Sequence, residues 1–490
     1  MASISPLKFL KDKTILVTGA TGFLAKVFVE KILRIQPNVK KLYLLVRARD
    51  SNFAMKRIFD EVVETELFRV VRDELGVNLK SFISEKIVAV AGDVSDTNLG
   101  VKDSKLMEEM WTEIDLVLNF AAITNFDERY DYAYKVNTMG AFNVLNFAKN
   151  CIKINMLVHV STAYVCGERS GLILENPINI GEALKKTCKL EITEENKLIE
   201  EKLNQLQAKG AGQIELASTM TDLGIKRATF YGWPNTYVFT KAMGEMMLGE
   251  YRENMPLVII RPTMITSTFA EPFPGWIEGL RTIDGAIAGY GKGKLKFLLA
   301  NTKSIFDVIP ADMVVNSIIM AMAANTQQNS QIIYHIGSSR TNPIKMTDIH
   351  KFSRQYFIEH PLINKYGKPV KVCKGRFFNT PASFHTWIRI SYVMPLKVLK
   401  LISIFNKSYR GICIDHDKKI KFAIRLVELY KPYMFFRGIF DDTNSQNLRL
   451  TMEENAQEAN AFNFNPKDID WEDYFINTHI AGLVKYVLKQ

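Results

Sequence analysis

The 490 residues contain only five cysteines: Cys151, Cys166, Cys188, Cys373 and Cys413, with no Cys-x-x-Cys pair among them. An odd, scattered set argues against a disulfide framework and a cysteine zinc site, and it suits a reducing compartment. The seven histidines show no ligand spacing, so no metal is expected. No charge-free apolar run of about 18 residues is present, which speaks against a spanning helix. The opening "MASISPLKFLKDKTILVTGA" has neither the apolar core of a signal peptide nor the Arg/Ser-rich character of a transit peptide. A strand expected from about Thr14 leaves no room for a cleaved presequence. Nucleic-acid-binding motifs are missing as well.

What remains is an ordinary globular composition, 47% hydrophobic and 23% charged, in a chain long enough for two or three domains. The net charge is +11. It reads either as a lysine-rich surface or as attraction to polyphosphate ligands or an anionic membrane.

Tyr-x-x-x-Lys, a spacing used in hydride-transfer chemistry, occurs at Tyr237–Lys241 and at Tyr290–Lys294. At about 3.6 residues per turn, the pair shares a face only in a helix. Asn235 after Pro234 is a plausible N-cap, and "TYVFTKAMGEMMLGEYR" continues with good helix formers. Tyr290 lies among Gly289, Gly291 and Gly293, each costing roughly 1 kcal/mol in a helix interior, so that stretch reads as a loop. Tyr237 and Lys241 are the candidates, and they need a cofactor site elsewhere.

"KTILVTGATGFLAKVFVEKILRIQP" supplies one: a buried strand, a Gly-rich turn and an amphipathic helix. Gly19, Gly22 and Ala25 form Gly-x-x-Gly-x-x-Ala, with tight turning, close approach to a pyrophosphate and helix packing as their tasks. Thr18, Thr21, Gly22, Phe23 and Leu24 place the free amides of the helix start toward the phosphates. The second strand, "KKLYLLVRARD", ends in Arg47 with Arg49 nearby, where NAD-preferring sites carry a carboxylate. Arg47 is either a surface cation or a partner for a 2′-phosphate, and the second reading favours NADPH. Asp93 and Val94 follow a third strand, with Asp93 able to accept from the adenine amino group. Ala121 and Ala122 end a fourth strand and let a cofactor lie close. Ser161 and Thr162 end a fifth. Strands alternating with helices predict a Rossmann-type, doubly wound parallel α/β sheet with ligands at the strands' carboxyl ends.

"TGATGFLAK", "GDVSD", "NFAAITNFDERYD", "HVSTAYV" and "YVFTKAMGE" resemble the extended short-chain dehydrogenase/reductases. More narrowly, "GWPNTYVFTKAMGE", "VIIRPTMITSTFAEPFPGWIEG" and "IFDVIPADMVVN" resemble the plant alcohol-forming fatty acyl-CoA reductases, from about residue 10 onward. The resemblance implies Tyr237 as catalytic tyrosine, Lys241 as its partner, Thr162 with Ser161 as the Ser/Thr position, and Arg47 and Asp93 as cofactor contacts. It implies reduction of a long-chain fatty acyl-CoA by NADPH, through an aldehyde, to a primary alcohol. It also implies peripheral attachment to the endoplasmic reticulum with the catalytic domain toward the cytosol. An aldehyde-forming reductase, a reductase of a ketone or sugar nucleotide, and a non-catalytic NADP-binding scaffold are the rival readings.

The domain expectation is a reductase unit over 1–340, a connecting segment over 341–380 and a helical unit over 381–490. The gap of 75 residues from Thr162 to Tyr237 points to an insertion at 168–230, a lid or CoA-side element or else a solvated decoration. Residues 384–405 mix aromatics, aliphatics and cations, which suits a membrane interface, an acyl pocket or ordinary packing. Tyr430, Tyr433 and Trp471 read as core or interface aromatics. Oligomeric state is not legible.

Overall fold

The computed structural model describes residues 4–326, 329–405, 410–451 and 456–490. Its centre is a parallel sheet of seven strands: β1 (Thr14–Thr18), β2 (Lys41–Val46), β3 (Ile87–Ala91), β4 (Leu116–Asn119), β5 (Met156–Val160), β6 (Leu257–Pro262) and β7 (Gln331–Ile336). Their spatial order is β3-β2-β1-β4-β5-β6-β7. "TILVT" of β1 is buried at every position, as a strand covered on both faces must be. The chain reverses its winding direction between β1 and β4, which opens a crevice at their carboxyl ends.

Helix α1 (Phe23–Ile35) follows β1 through Gly19, whose φ of +66° is left-handed. A Cβ there would sit 2.8 Å from Ala121 Cα, so the β1 and β4 turns approach more closely than a side chain allows. Gly22 caps α1 with no side-chain bond to the first amides, which are left available.

The insertion after β5 holds a short strand, Ser170–Ile173, and helices α2 (Ile192–Ala208) and α3 (Gln213–Tyr231). The acid-rich α2 is not a loose decoration. Glu195 is fully buried and accepts from Tyr130 Oη at 2.7 Å, Tyr231 Oη at 2.9 Å and Arg227 Nε at 3.0 Å. Strand Ser170–Ile173 pairs in parallel with Arg437–Phe440, far along the chain. Glu175 next to it accepts amides from His335 and Asn444, at 2.8 Å each. Insertion, sheet edge and C-terminal region are therefore tied together.

Helix α4 (Thr236–Tyr251) begins as expected, with Asn235 Oδ1 accepting from Val238 N at 3.1 Å. The stretch around Tyr290 departs from its expectation. Helix α5 (Thr282–Gly291) runs through Tyr290 because Ile283, Ile287 and Tyr290 bury one face, which outweighs the glycine cost. Lys294 lies beyond the helix end, and Tyr290 Oη donates to Cys373 O at 2.7 Å, so the pair remains non-catalytic in geometry.

Helices α6 (Pro381–Ile388), α7 (Met394–Phe405) and α8 (Arg410–Met434) dominate the later region. No described helix is long and apolar enough to cross a membrane.

Candidate active site

The carboxyl ends of β1, β4, β5 and β6 border a cleft of about 1820 Å³, its open mouth included. Gly19, Gly22, Phe23 and Leu24 line one side, and Ser161, Thr162 and Tyr237 the other. The sheet thus brings the glycine turn and the candidate catalytic residues into one space. Thr18, Ala121 and Lys241 lie behind its wall. Arg47, Asp93 and Val94 stand at the ends of β2 and β3, beyond the crevice floor. Arg47 is exposed and its Nη1 donates to Tyr132 Oη. Asp93 Oδ1 holds its own turn by accepting from Ser95 N at 2.9 Å, and Val94 is buried.

Helix periodicity puts Tyr237, Lys241 and Glu245 on successive turns of α4. Tyr237 and Thr162 both line the cleft, bringing α4 to the end of β5. Burial pushes the Tyr237 phenol up to about 12, while Thr162 and the positive charge of Arg281 pull it down. At neutral pH the phenol therefore carries its proton. Ser161 Oγ is buried in the cleft wall with no hydrogen-bond partner among the described residues. An orphaned hydroxyl at this place fits a site built for a polar ligand.

Lys241 does not reach toward Tyr237. Its Nζ is 3.0 Å from His159 Nε2 and donates to Val160 O at 2.7 Å. His159 Nδ1 is 3.1 Å from Asn119 Nδ2, and Asn119 Oδ1 accepts from Thr18 Oγ1 at 2.6 Å. Thr18 Oγ1 in turn accepts from Ala121 N at 3.2 Å. A buried polar row thus runs under the crevice from β1 to α4. Burial lowers Lys241 to about 8, opposed by the Glu245 carboxylate. Burial, then the charge of Lys241, holds His159 well below its ordinary range, so the ring is neutral. A neutral ring has one N–H, so the protonation of Lys241 and the proton position on His159 are coupled. None of the His159 or Asn119 contacts is visible from spacing.

Two further features escape sequence reading. Arg281, at the start of α5, lines the cleft with its guanidinium 4.8 Å from the Phe23 ring centroid. Burial depresses it, and Asp284, Glu278 and Tyr237 counter that. Asp284 Oδ1 lies 3.1 Å from His479 Nε2, and Ser267 N donates to His479 Nδ1 at 3.3 Å, so residues distant in the chain pack behind Arg281. The second feature is an aromatic wall. Leu426, Leu429, Tyr430 and Tyr433 of α8 close one flank of the cleft. Phe126 stacks between Tyr237, at 6.0 Å, and Tyr433, at 4.9 Å. Asn235 Nδ2 donates to Tyr433 Oη at 2.8 Å, docking α8 on the cap of α4. The sequence signal was the clustering of Tyr430 and Tyr433, which gave no location.

Comparison with known proteins agrees with this arrangement. Residues 17–318 and 391–490 each match a family model described as male sterility protein, the first of them a NAD-binding type. The chain is 54% identical over 488 residues to Fatty acyl-CoA reductase 1 of Arabidopsis thaliana, covering 99% of both. It is 51% identical over 487 residues to the Alcohol-forming fatty acyl-CoA reductase of Simmondsia chinensis, again covering 99% of both. Among solved structures, the terminal reductase domain of the myxalamid biosynthetic pathway superposes with a TM-score of 0.58 at 17% identity. That superposition covers 97% of this chain and 91% of the other, and it speaks to the fold alone.

Proposed function

Because this chain belongs to the fatty acyl-CoA reductase family, we propose that it reduces a long-chain fatty acyl-CoA to a primary alcohol with NADPH. The observation that carries the reading is the Tyr237–Thr162 pair, set in a cleft that opens from the Gly19–Gly22 turn.

The residues fit a dinucleotide. Gly19 excludes any side chain, the amides of Thr21, Phe23 and Leu24 stand at a helix start, and Ser161 Oγ lacks a partner. The turn would hold the pyrophosphate, Arg47 the 2′-phosphate, Asp93 and Val94 the adenine side, and Ala121 the approach to the ring. Lys241, with Tyr237, would hold the nicotinamide ribose. When bound, NADPH supplies hydride.

Thr162 and Tyr237 hydrogen-bond the thioester carbonyl oxygen and stabilise the charge that develops on it. Tyr237 then delivers its proton to that oxygen as hydride reaches carbon, giving a hemithioacetal. The positive charge of Arg281 and the Thr162 hydroxyl lower the cost of the phenolate that remains. Collapse of the hemithioacetal returns the hydroxyl proton to the Tyr237 phenolate, breaks the C–S bond, expels CoA as thiolate and leaves the aldehyde. Thr162 and Tyr237 would then hold and protonate the aldehyde oxygen in the same way, a second hydride from NADPH completing the alcohol. Phe126, Leu426, Leu429 and Tyr430 offer the apolar flank along which the acyl chain lies.

The alcohol is almost insoluble in water, so release into a membrane is the sensible outlet. Residues 384–405 would supply peripheral contact with the cytosolic face of the endoplasmic reticulum, with Arg389, Lys397 and Lys400 near the headgroups. The decisive assay is gas chromatography of products from purified protein, acyl-CoA and NADPH. Stoichiometric alcohol supports the proposal. Aldehyde accumulating without alcohol means that the enzyme stops after one hydride. No product from any acyl-CoA removes the reading.

A further inference from the structure

From His360 to Ile414 the sequence contains seven lysines and three arginines and no Asp or Glu. Ten positive charges in 55 consecutive residues account for nearly all of the net +11. The fold adds a second cationic run beside this one. Lys292, Lys294 and Lys296 occupy alternate positions after α5, and the strand that follows, Phe297–Leu299, pairs in parallel with Arg376–Phe378. Arg376 N donates to Lys296 O at 3.0 Å, and Val370 covers Gly293. The segments 292–296 and 368–376 therefore lie side by side. Lys292, Lys294, Lys296, Lys368, Lys371 and Lys374 are all exposed, and none has a carboxylate partner among the described residues.

The same small sheet is continuous with an uncovered apolar surface. Phe297 meets Trp387 of α6 with centroids 4.8 Å apart, and Phe378 meets it at 5.1 Å. From α6 the chain passes through Ile390, 60% exposed, into α7, where Val398 and Leu401 are 57% and 62% exposed. Exposed aliphatics beside unpaired lysines are the two halves of a surface that inserts shallowly and binds anionic headgroups.

We propose that the lysines of 292–296 and 368–374 form a docking platform for the anionic phospholipids of a membrane, flanking the apolar face of α7. This deepens the membrane contact proposed above and rests on it. The apolar face alone would bind any bilayer. The platform makes the contact selective for negatively charged lipid and sensitive to salt. Each lysine near such a surface is worth about fivefold in partitioning, so two engaged lysines already exceed tenfold.

The test is flotation of the full chain with vesicles of phosphatidylcholine alone and with roughly a third phosphatidylserine. Wild-type protein should bind the anionic vesicles at least about tenfold better, and the preference should collapse in about 0.5 M salt. A variant with the six lysines changed to glutamine should lose the preference. It should keep its residual binding to phosphatidylcholine and its turnover of a short, soluble acyl-CoA. A variant with Trp387, Ile390, Val398 and Leu401 changed to serine should lose binding to phosphatidylcholine. Equal, salt-insensitive binding of wild type to both vesicles overturns the platform and leaves the membrane contact standing. Binding to neither overturns both. Unchanged preference in the glutamine variant, with a raised KM for acyl-CoA, overturns the platform and assigns the lysines to CoA phosphates instead.

Discussion

Replacing Lys241 by methionine should remove turnover and erase a rise in the stability of the cofactor-free protein between pH 8 and 10.5. Lys241 is 1% exposed and held at about 8 instead of 10.5, chiefly by burial. Keeping that proton in the fold costs on the order of 3 kcal/mol below pH 8. Methionine removes this cost but strands His159 Nε2 and Val160 O, a loss of about 1–3 kcal/mol for each. The two effects are of similar size and opposite sign, so they largely offset each other at pH 7. The pH dependence is the cleaner signal. Between pH 8 and 10.5 the unfolded chain still binds a proton that folded Lys241 has released, so wild-type stability rises with pH in that window. From pH 7 to 9.5 the wild type should gain about 2 kcal/mol relative to Lys241→Met, all other groups cancelling in the comparison. Urea unfolding of both proteins at the two pH values, followed by tryptophan fluorescence, reads this directly. A stability difference that is the same at pH 7 and 9.5 would refute the depressed lysine and the buried row that explains it.

Tyr237→Phe should lower alcohol formation by about 10²–10⁴-fold with an unchanged melting curve, whereas Tyr290→Phe should leave turnover near normal; product analysis separates the two. Arg47→Ala should weaken NADPH by about 10- to 150-fold, from loss of a charge-assisted contact. Parallel KM measurements with NADH should change little, and equal losses would count against a 2′-phosphate role. Gly19→Ala should abolish cofactor binding in a fluorescence titration, because the added Cβ would fall 2.8 Å from Ala121 Cα. Glu175 is pushed up to about 7 by burial, so its folded carboxyl keeps a proton that the unfolded chain releases between about pH 4.5 and 7. Stability should fall as pH rises through that window, and Glu175→Gln should flatten the fall in thermal melts.

The parts legible in the sequence are those built from neighbours along the chain. The β1–turn–α1 unit, the Asn235 cap and the helical face of Tyr237 and Lys241 depend on short-range periodicity and capping. Strand ends were legible too, so Ser161, Thr162 and Ala121 could be put at the crevice before their neighbours were known. Pairings across the fold were not. The contact of Lys241 with His159 joins residues 82 apart, and Asn235 with Tyr433 joins residues 198 apart. Arg281 carries no local signal, because only the folded chain brings it into the cleft lining. At Tyr290 local glycine propensity was misleading, because burial of one helix face outweighed it.

Strand Ser170–Ile173 finds its partner only at Arg437–Phe440, and His479 packs against Asp284 behind Arg281. Both closures span more than 190 residues. A ribosome making this chain at about 5–20 residues per second therefore delivers the reductase sheet many seconds before the residues that finish its cleft. During that interval an unpaired strand edge and the flank awaiting α8 stand open to water. Nascent chains of this protein would be natural clients for a holding chaperone, and catalytic competence would arrive late in synthesis, after the sheet itself has formed.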